Sequence, residues 1–335
     1  MSVMEIKQKA LQLGYMACGI IPCTVFSEYL EYLDESIKSF PESKEIYESL
    51  YALVHLPENS KSIIVCTQRY NKYKIPDGLD KLIGKMYLFD NRIVYSHEYR
   101  ARKEFETYLK THEINILKGS VPARMAAVKA GVGKYGHNNF IYDPEHGSYF
   151  CINTWIVDKE LDYDNIPLDT LMDSCSEKCN KCIKACPTKA LSKEFSIDAG
   201  KCIARISFAS KDIPKEDIRS QLGLWIYGCD VCQDVCPLNK DKFSETENFP
   251  MLNDFEKYLK PENILKMDEE TFLHIMQPRF WYIDTDALWL WKTNALRSMI
   301  NSSDSKYYDL IKQSCNDADE RIQDIAKWGC DILNI

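Results

Sequence analysis

Cys175-Ser176-Glu177-Lys178-Cys179-Asn180-Lys181-Cys182-Ile183-Lys184-Ala185-Cys186-Pro187 opens a stretch that continues through Cys202 to Cys229-Asp230-Val231-Cys232-Gln233-Asp234-Val235-Cys236-Pro237. Both halves end in Cys-x2-Cys-x3-Cys-Pro, the pattern of a two-cluster ferredoxin domain. Closely spaced thiolates wrap one iron–sulfur cube, the proline turns the chain away, and the last cysteine of the run reaches the neighbouring cube. That logic assigns Cys175, Cys179, Cys182 and Cys236 to one 4Fe–4S cluster, and Cys202, Cys229, Cys232 and Cys186 to the other. The first gap holds three residues where the bacterial pattern has two, and a long insertion separates Cys202 from Cys229. Both differences are loop lengths, which thiolate ligation tolerates. Zinc bound by the paired Cys-x2-Cys units would leave both Cys-Pro endings without a reason.

The remaining cysteines, Cys18, Cys23, Cys66, Cys151, Cys315 and Cys330, lie scattered in apolar stretches and read as small core hydrophobes. Disulfides suit a short secreted chain, whereas this one has 335 residues and starts Met1-Ser2-Val3-Met4-Glu5-Ile6-Lys7, with no basic-then-apolar leader. A cytoplasmic location is the expectation, and no apolar run reaches the roughly 18 residues of a membrane span. The net charge of −8 works against a protein that holds nucleic acid mainly by its phosphates, although a local basic face is compatible with it.

The length predicts two or three domains. Residues 1–165 read as α+β. Glu5 to Leu13 has helical spacing, and Met16 to Ile21 is a short apolar run. Ser62 to Thr67 is β-branched and reads as a buried strand, and Tyr95 to Thr111 is rich in helix formers. Pro122 starts a helix over Ala123 to Ala130 that Gly131 stops. Phe140 to Tyr142 and Tyr149 to Val157 read as strands around a turn at Asp143 to Gly147. An acidic, polar break from Leu161 to Pro167 precedes the ferredoxin-like domain, 166–245. A helical region, 246–335, follows, with amphipathic spacing in Ala287 to Ile300, Lys306 to Ser314 and Glu320 to Leu333.

Ferredoxins are small, so the first half of this chain needs its own role. Just ahead of the clusters lies Ala130-Gly131-Val132-Gly133-Lys134-Tyr135-Gly136-His137-Asn138-Asn139, whose glycines allow close backbone approach. A dinucleotide loop would follow a strand and open a helix, whereas this one does the reverse. A plain structural turn and a loop packed on a large cofactor both remain open.

In several places the sequence resembles the epoxyqueuosine reductase family, cobalamin-dependent iron–sulfur enzymes related to reductive dehalogenases. The similar parts are Ala130-Gly131-Val132-Gly133, Gly136, Asn138, Gly147-Ser148, Cys182 to Leu191, Lys201-Cys202-Ile203 and Tyr227 to Asn239. The tail from Asn294 to Cys330 is similar to that family's HEAT-like end. The resemblance implies a nitroreductase-like domain holding cobalamin against Gly131, Gly133, Gly136, His137, Asn138, Gly147 and Ser148. It further implies a low-potential electron donor such as ferredoxin or flavodoxin, and a small-molecule or tRNA-borne substrate above the corrin. The family's Asp-Thr-x-Pro stretch, whose aspartate is the proposed proton donor, corresponds here to Leu117-Lys118-Gly119-Ser120-Val121-Pro122, which offers Leu117 or Gly119 at that place. His137 replaces a lysine, and His97 is a conceivable donor, although a solvated helix side chain is the usual reading of such a histidine. These departures suggest a paralogue. The first expectation is therefore a cobalamin-dependent reductase of unidentified substrate. An electron-transfer protein without corrinoid, and an epoxyqueuosine reductase acting on tRNA, are the alternatives.

Overall fold

The structure, a computed structural model, describes residues 2–164, 175–176 and 178–335. The expected break at Leu161 to Pro167 therefore lies partly outside the described residues. The chain begins with α1 (Val3–Gln12), capped by a reciprocal Ser2–Glu5 box, then β1 (Ala17–Pro22), α2 (Ser27–Ser39) and α3 (Lys44–Leu50). Next come β2 (Ser62–Arg69), α4 (Lys85–Leu88), α5 (His97–Thr111), β3 (Ile116–Leu117) and α6 (Ala123–Lys129). Two short strands, β4 (Lys134–Tyr135) and β5 (Ile141–Tyr142), lead to β6 (Phe150–Val157).

The main sheet is antiparallel in the order β1-β2-β6-β3, with Cys18 opposite Cys66 and Ile63 opposite Ile156. Because side chains alternate along a strand, β2 serves two cores at once. Ile63 and Val65 pack with Ala126, Ala127 and Val128 of α6, while Ile64 and Cys66 pack with Ile6 and Ala10 of α1 and with Phe105 and Leu109 of α5. A strand covered on both faces reads as an unbroken apolar run, and that is how Ile63 to Cys66 reads. The contact between α6 and the sheet is tight at Gly19, where an added Cβ would sit 2.2 Å from the Ala130 carbonyl oxygen.

The cysteine region holds α7 (Lys181–Ala185), β7 (Leu191–Lys193), β8 (Ser196–Ile197), α8 (Ile203–Ala209), α9 (Glu216–Arg219) and α10 (Val231–Asp234). The tail is helical: α11 (Leu252–Leu259), α12 (Pro261–Leu265), α13 (Glu269–Thr271), α14 (Leu288–Ser302), α15 (Tyr308–Ser314) and α16 (Glu320–Leu333). Helix α14 is buried almost all round and ties the tail to the cysteine region. Asn294 donates to the Ser207 and Ile226 carbonyls at 2.8 and 3.1 Å, and the buried Arg297 guanidinium donates to the carbonyls of Gly223 and Trp225. One core unites Tyr70, Tyr73 and Phe89 from the first half, Ile226 and Tyr227 from the cysteine region, and Phe280 and Trp291 from the tail.

Of the six cysteines outside the cluster motifs, Cys66 and Cys151 are buried, whereas Cys18, Cys23, Cys315 and Cys330 are half-buried. No helix among the described residues is long and apolar enough to cross a membrane.

Gly19→Ala should lower stability by about 1–3 kcal/mol, because a backbone carbonyl cannot yield as a flexible side chain can. The check is the thermal unfolding midpoint, with iron content measured in parallel.

Candidate iron–sulfur and cavity site

Cysteines of the two runs lie beside one another. Burial pushes the Cys182 thiol up, and the neighbouring Cys236 and Cys179 push it the same way. Burial likewise raises Cys229, with Cys202 and Cys186 adding to the effect, and Cys232, with Cys229 and Cys202 adding to it. Cys236 thus neighbours Cys182, and Cys186 neighbours Cys229 and Cys202. Buried thiols in such company are poor acids by themselves, and bound iron is the usual means of holding them all as thiolates.

The glycine loop touches these cysteines directly. The His137 amide donates to Cys175 Sγ at 3.3 Å, and His137 Nδ1 lies 2.9 Å from the Cys179 carbonyl oxygen. Asn138 donates to the Tyr142 hydroxyl and to the Cys232 carbonyl at 2.9 and 3.1 Å, and Tyr142 in turn hydrogen-bonds the Cys236 side chain. Ser148 is clamped by the end of the second motif. Its amide donates to Asn239 Oδ1 at 2.8 Å, and its hydroxyl accepts from Gln233 Nε2 and Asn239 Nδ2 at 2.8 and 3.0 Å.

The glycines have protein neighbours of their own. Gly131, at φ 66°, ends α6, and Gly147, at φ 65°, packs on Asn239, whose Oδ1 a Cβ would meet at 2.3 Å. An added Cβ at Gly133 would meet Ile141 at 2.4 Å, and one at Gly136 would meet the Tyr142 ring at the same distance. Close approach is therefore real at these positions, and what approaches is the chain's own β5 and second cysteine motif.

Beside this loop opens a cavity of about 820 Å³. Among the residues singled out from sequence as cofactor contacts, Ser148 lines it. Gly131, Gly133, Gly136, His137, Asn138 and Gly147 do not line it. Other lining residues went unnoticed in the sequence: Asn139, Phe140, Cys151, Asn153 and Phe195. The strand pattern of β6 carried the only signal for Asn153, as a polar residue in an otherwise apolar run. Asn139 and Asn153 are more than nine-tenths buried, and the side-chain nitrogen of each lacks a hydrogen-bond partner. Phe195 connects the cavity to the cysteines, because its ring packs edge-on against His137 at 5.2 Å. Leu117 lies in β3 opposite Ile156, and Gly119 packs on His55 and Pro57, so neither lines the cavity. His97 is exposed at the start of α5, 3.0 Å from Arg100, and it too lies away from the cavity.

From the other side, the segment around α4 braces the second motif. The Gly84 amide donates to the Tyr227 carbonyl at 2.8 Å, and the Lys85 amide donates to Asp230 at 2.7 Å. Lys85 Nζ reaches Asp234 at 2.8 Å and Asp230 at 3.5 Å. Burial dominates at Asp230 and pushes its carboxyl up to about 6, although Lys85 pulls it down. Lys85→Met would leave both carboxylates without their cation and should destabilise the protein by about 3–5 kcal/mol. Loss of iron on gel filtration should accompany a lower unfolding midpoint.

A family model described as a 4Fe-4S double cluster binding domain matches residues 174–239. An epoxyqueuosine reductase of Cyclobacterium marinum is 32% identical over 285 residues, covering 80% of this chain and 87% of the relative. One from Bacillus subtilis is 37% identical over 180 residues, covering 53% of this chain and 41% of the relative. A crystal structure of an epoxyqueuosine reductase with an epoxyqueuosine-modified tRNA-Tyr stem loop superposes with a TM-score of 0.76 at 22% identity, covering 99% of this chain and 90% of that one. That likeness shows the fold. The mixed helix-and-strand architecture, the double-cluster segment and the length of the match together establish that the chain belongs to the epoxyqueuosine reductase family of iron–sulfur oxidoreductases.

Proposed function

We propose that the protein reduces epoxyqueuosine in tRNA, drawing electrons through two 4Fe–4S clusters into the 820 Å³ cavity. The observation that carries this reading is the short route from cavity to cysteines, Phe195 to His137 to Cys175 and Cys179. The family relationship favours this tRNA reading over a corrinoid reductase of unidentified substrate, because the relatives share most of the chain and carry the name of that activity. Within this proposal the ligand sets are Cys175, Cys179, Cys182 and Cys236 for one cluster, and Cys186, Cys202, Cys229 and Cys232 for the other. Residues 1–165 are the nitroreductase-like part, 166–245 the ferredoxin-like part and 246–335 the HEAT-like part. A ferredoxin or flavodoxin is the electron donor.

Removing an epoxide oxygen as water consumes two electrons and two protons. A corrinoid, when bound, would supply a reduced cobalt able to attack an epoxide carbon. The cavity has the size of a ligand site, and the unpartnered side-chain N–H groups of Asn139 and Asn153 suit the amide carbonyls around a corrin. Phe140, Ile141 and Phe195 give that space an apolar stretch of wall. With no acid at Leu117 or Gly119, the lining hydroxyls of Tyr29, Tyr32, Tyr70 and Tyr135 are candidate proton sources, each made a weaker acid by burial.

Anaerobic preparation with hydroxocobalamin should yield about eight iron atoms and about one cobalt per chain. The reconstituted protein, given a strong reductant, should convert epoxyqueuosine to queuosine in tRNA, as read by nucleoside mass spectrometry. Full cluster loading with an unchanged nucleoside would sink the proposal. Cys236→Ala should remove the cluster of Cys182 while leaving that of Cys229, which electron paramagnetic resonance of the reduced protein distinguishes.

A further inference from the structure

The polar lining of the cavity is one-sided. Asn139 and Asn153 present unpartnered N–H donors. Among the described residues the lining cations are Arg92, Arg102 and Arg124, and the one lining carboxylate, Glu28, is held by Lys129 at 2.9 Å. Arg92 is paired with Asp90 at 2.7 Å and Arg102 with Glu106 at 3.0 Å. Arg124 differs from both. Among the described residues it makes no ion pair, its side chain is exposed, and its guanidinium lies over the Phe140 ring at 5.3 Å. Burial raises the hydroxyls of Tyr29, Tyr32 and Tyr135, and Arg124 pulls all three down, so its charge reaches across this side of the cavity.

A chain of net charge −8 that turns an unpaired arginine and two orphaned amide donors to one cavity is built for a ligand rich in acceptors. We propose that Arg124 is the phosphodiester-binding residue of this cavity, with its planar fork set on the anionic oxygens and its stem steadied on Phe140. The inference rests on the reading of the cavity given above and adds the residue that anchors its occupant. Two occupants carry that group: the backbone of the substrate RNA and the nucleotide tail of a corrinoid.

The test uses the full chain with clusters reconstituted, as wild type, Arg124→Gln and Arg124→Lys. Three probes are titrated: an RNA anticodon stem-loop, hydroxocobalamin, and cobinamide, which lacks the nucleotide tail. Iron content and unfolding midpoint serve as the folding check, and both should be unchanged because the side chain is exposed. Arg124→Gln should weaken one phosphodiester probe by about tenfold or more, as expected for loss of a hydrogen-bonded charge, with partial recovery in Arg124→Lys. If RNA is the occupant, the salt dependence of its binding should also fall by about one unit of slope. If the corrinoid tail is the occupant, hydroxocobalamin weakens while cobinamide does not. Equal weakening of hydroxocobalamin and cobinamide with RNA unaffected would overturn the assignment, as would unchanged binding of RNA and hydroxocobalamin by Arg124→Gln. A wild-type chain that binds neither would instead bring down the proposed function, and this inference with it.

Discussion

Ser148 is held by Gln233 and Asn239 in a closed set of buried hydrogen bonds, and the rest of the site depends on that clamp. It joins the start of β6, which forms the cavity wall, to the end of the second cysteine motif. Each group in it is satisfied only while the two segments stay in register, and a buried polar group left unpaired costs far more than a single bond yields. Asn138 repeats the device by holding Tyr142 and the Cys232 carbonyl together. Cavity and clusters are thereby built as one rigid unit.

The glycines serve the same end. Gly133 and Gly136 let β5 lie directly on the loop, and Gly147 lets the turn come down on Asn239. Any side chain at these positions would push the wall away from the cysteines. On the opposite side, Lys85 and the amides near α4 receive Asp230 and the Tyr227 carbonyl, while Asn294 and Arg297 of α14 hold the approach to Cys229. The second motif is thus gripped by the first half of the chain and by the helical tail. This explains why one apolar core runs through all three parts.

The proposed RNA substrate would need positive charge placed locally on this acidic chain, because phosphates are attracted over only about a Debye length at physiological salt. Here Arg92, Arg102 and Arg124 line the cavity, and among the described residues only Arg124 of the three makes no ion pair. The bulk charge alone argued against nucleic acid. The distribution of charge, which the composition does not contain, changes that reading.

How much was legible depended on the range of each interaction. The spacing of the cysteines is local chemistry, so the double-cluster segment could be read directly from Cys175 to Pro237. Buried strands and amphipathic helices are also local patterns, and α1, β2, α5, α6, β6 and the helices of the tail lie close to where their periodicity puts them. The role of the glycine loop was legible only in part. Close approach was evident from its composition, but its partners, β5 and the backbone and side chains of Cys175, Cys179 and Cys232, were not. Asn139 and Arg124 had no sequence signal, and Asn153 only that of a polar residue in a strand, because an asparagine or arginine becomes a site only through what surrounds it. By itself, then, the sequence determined the clusters, the elements and the family resemblance. Tertiary structure alone decided which residues face the cavity, since that depends on long-range packing of β6, the glycine loop and the second cysteine motif.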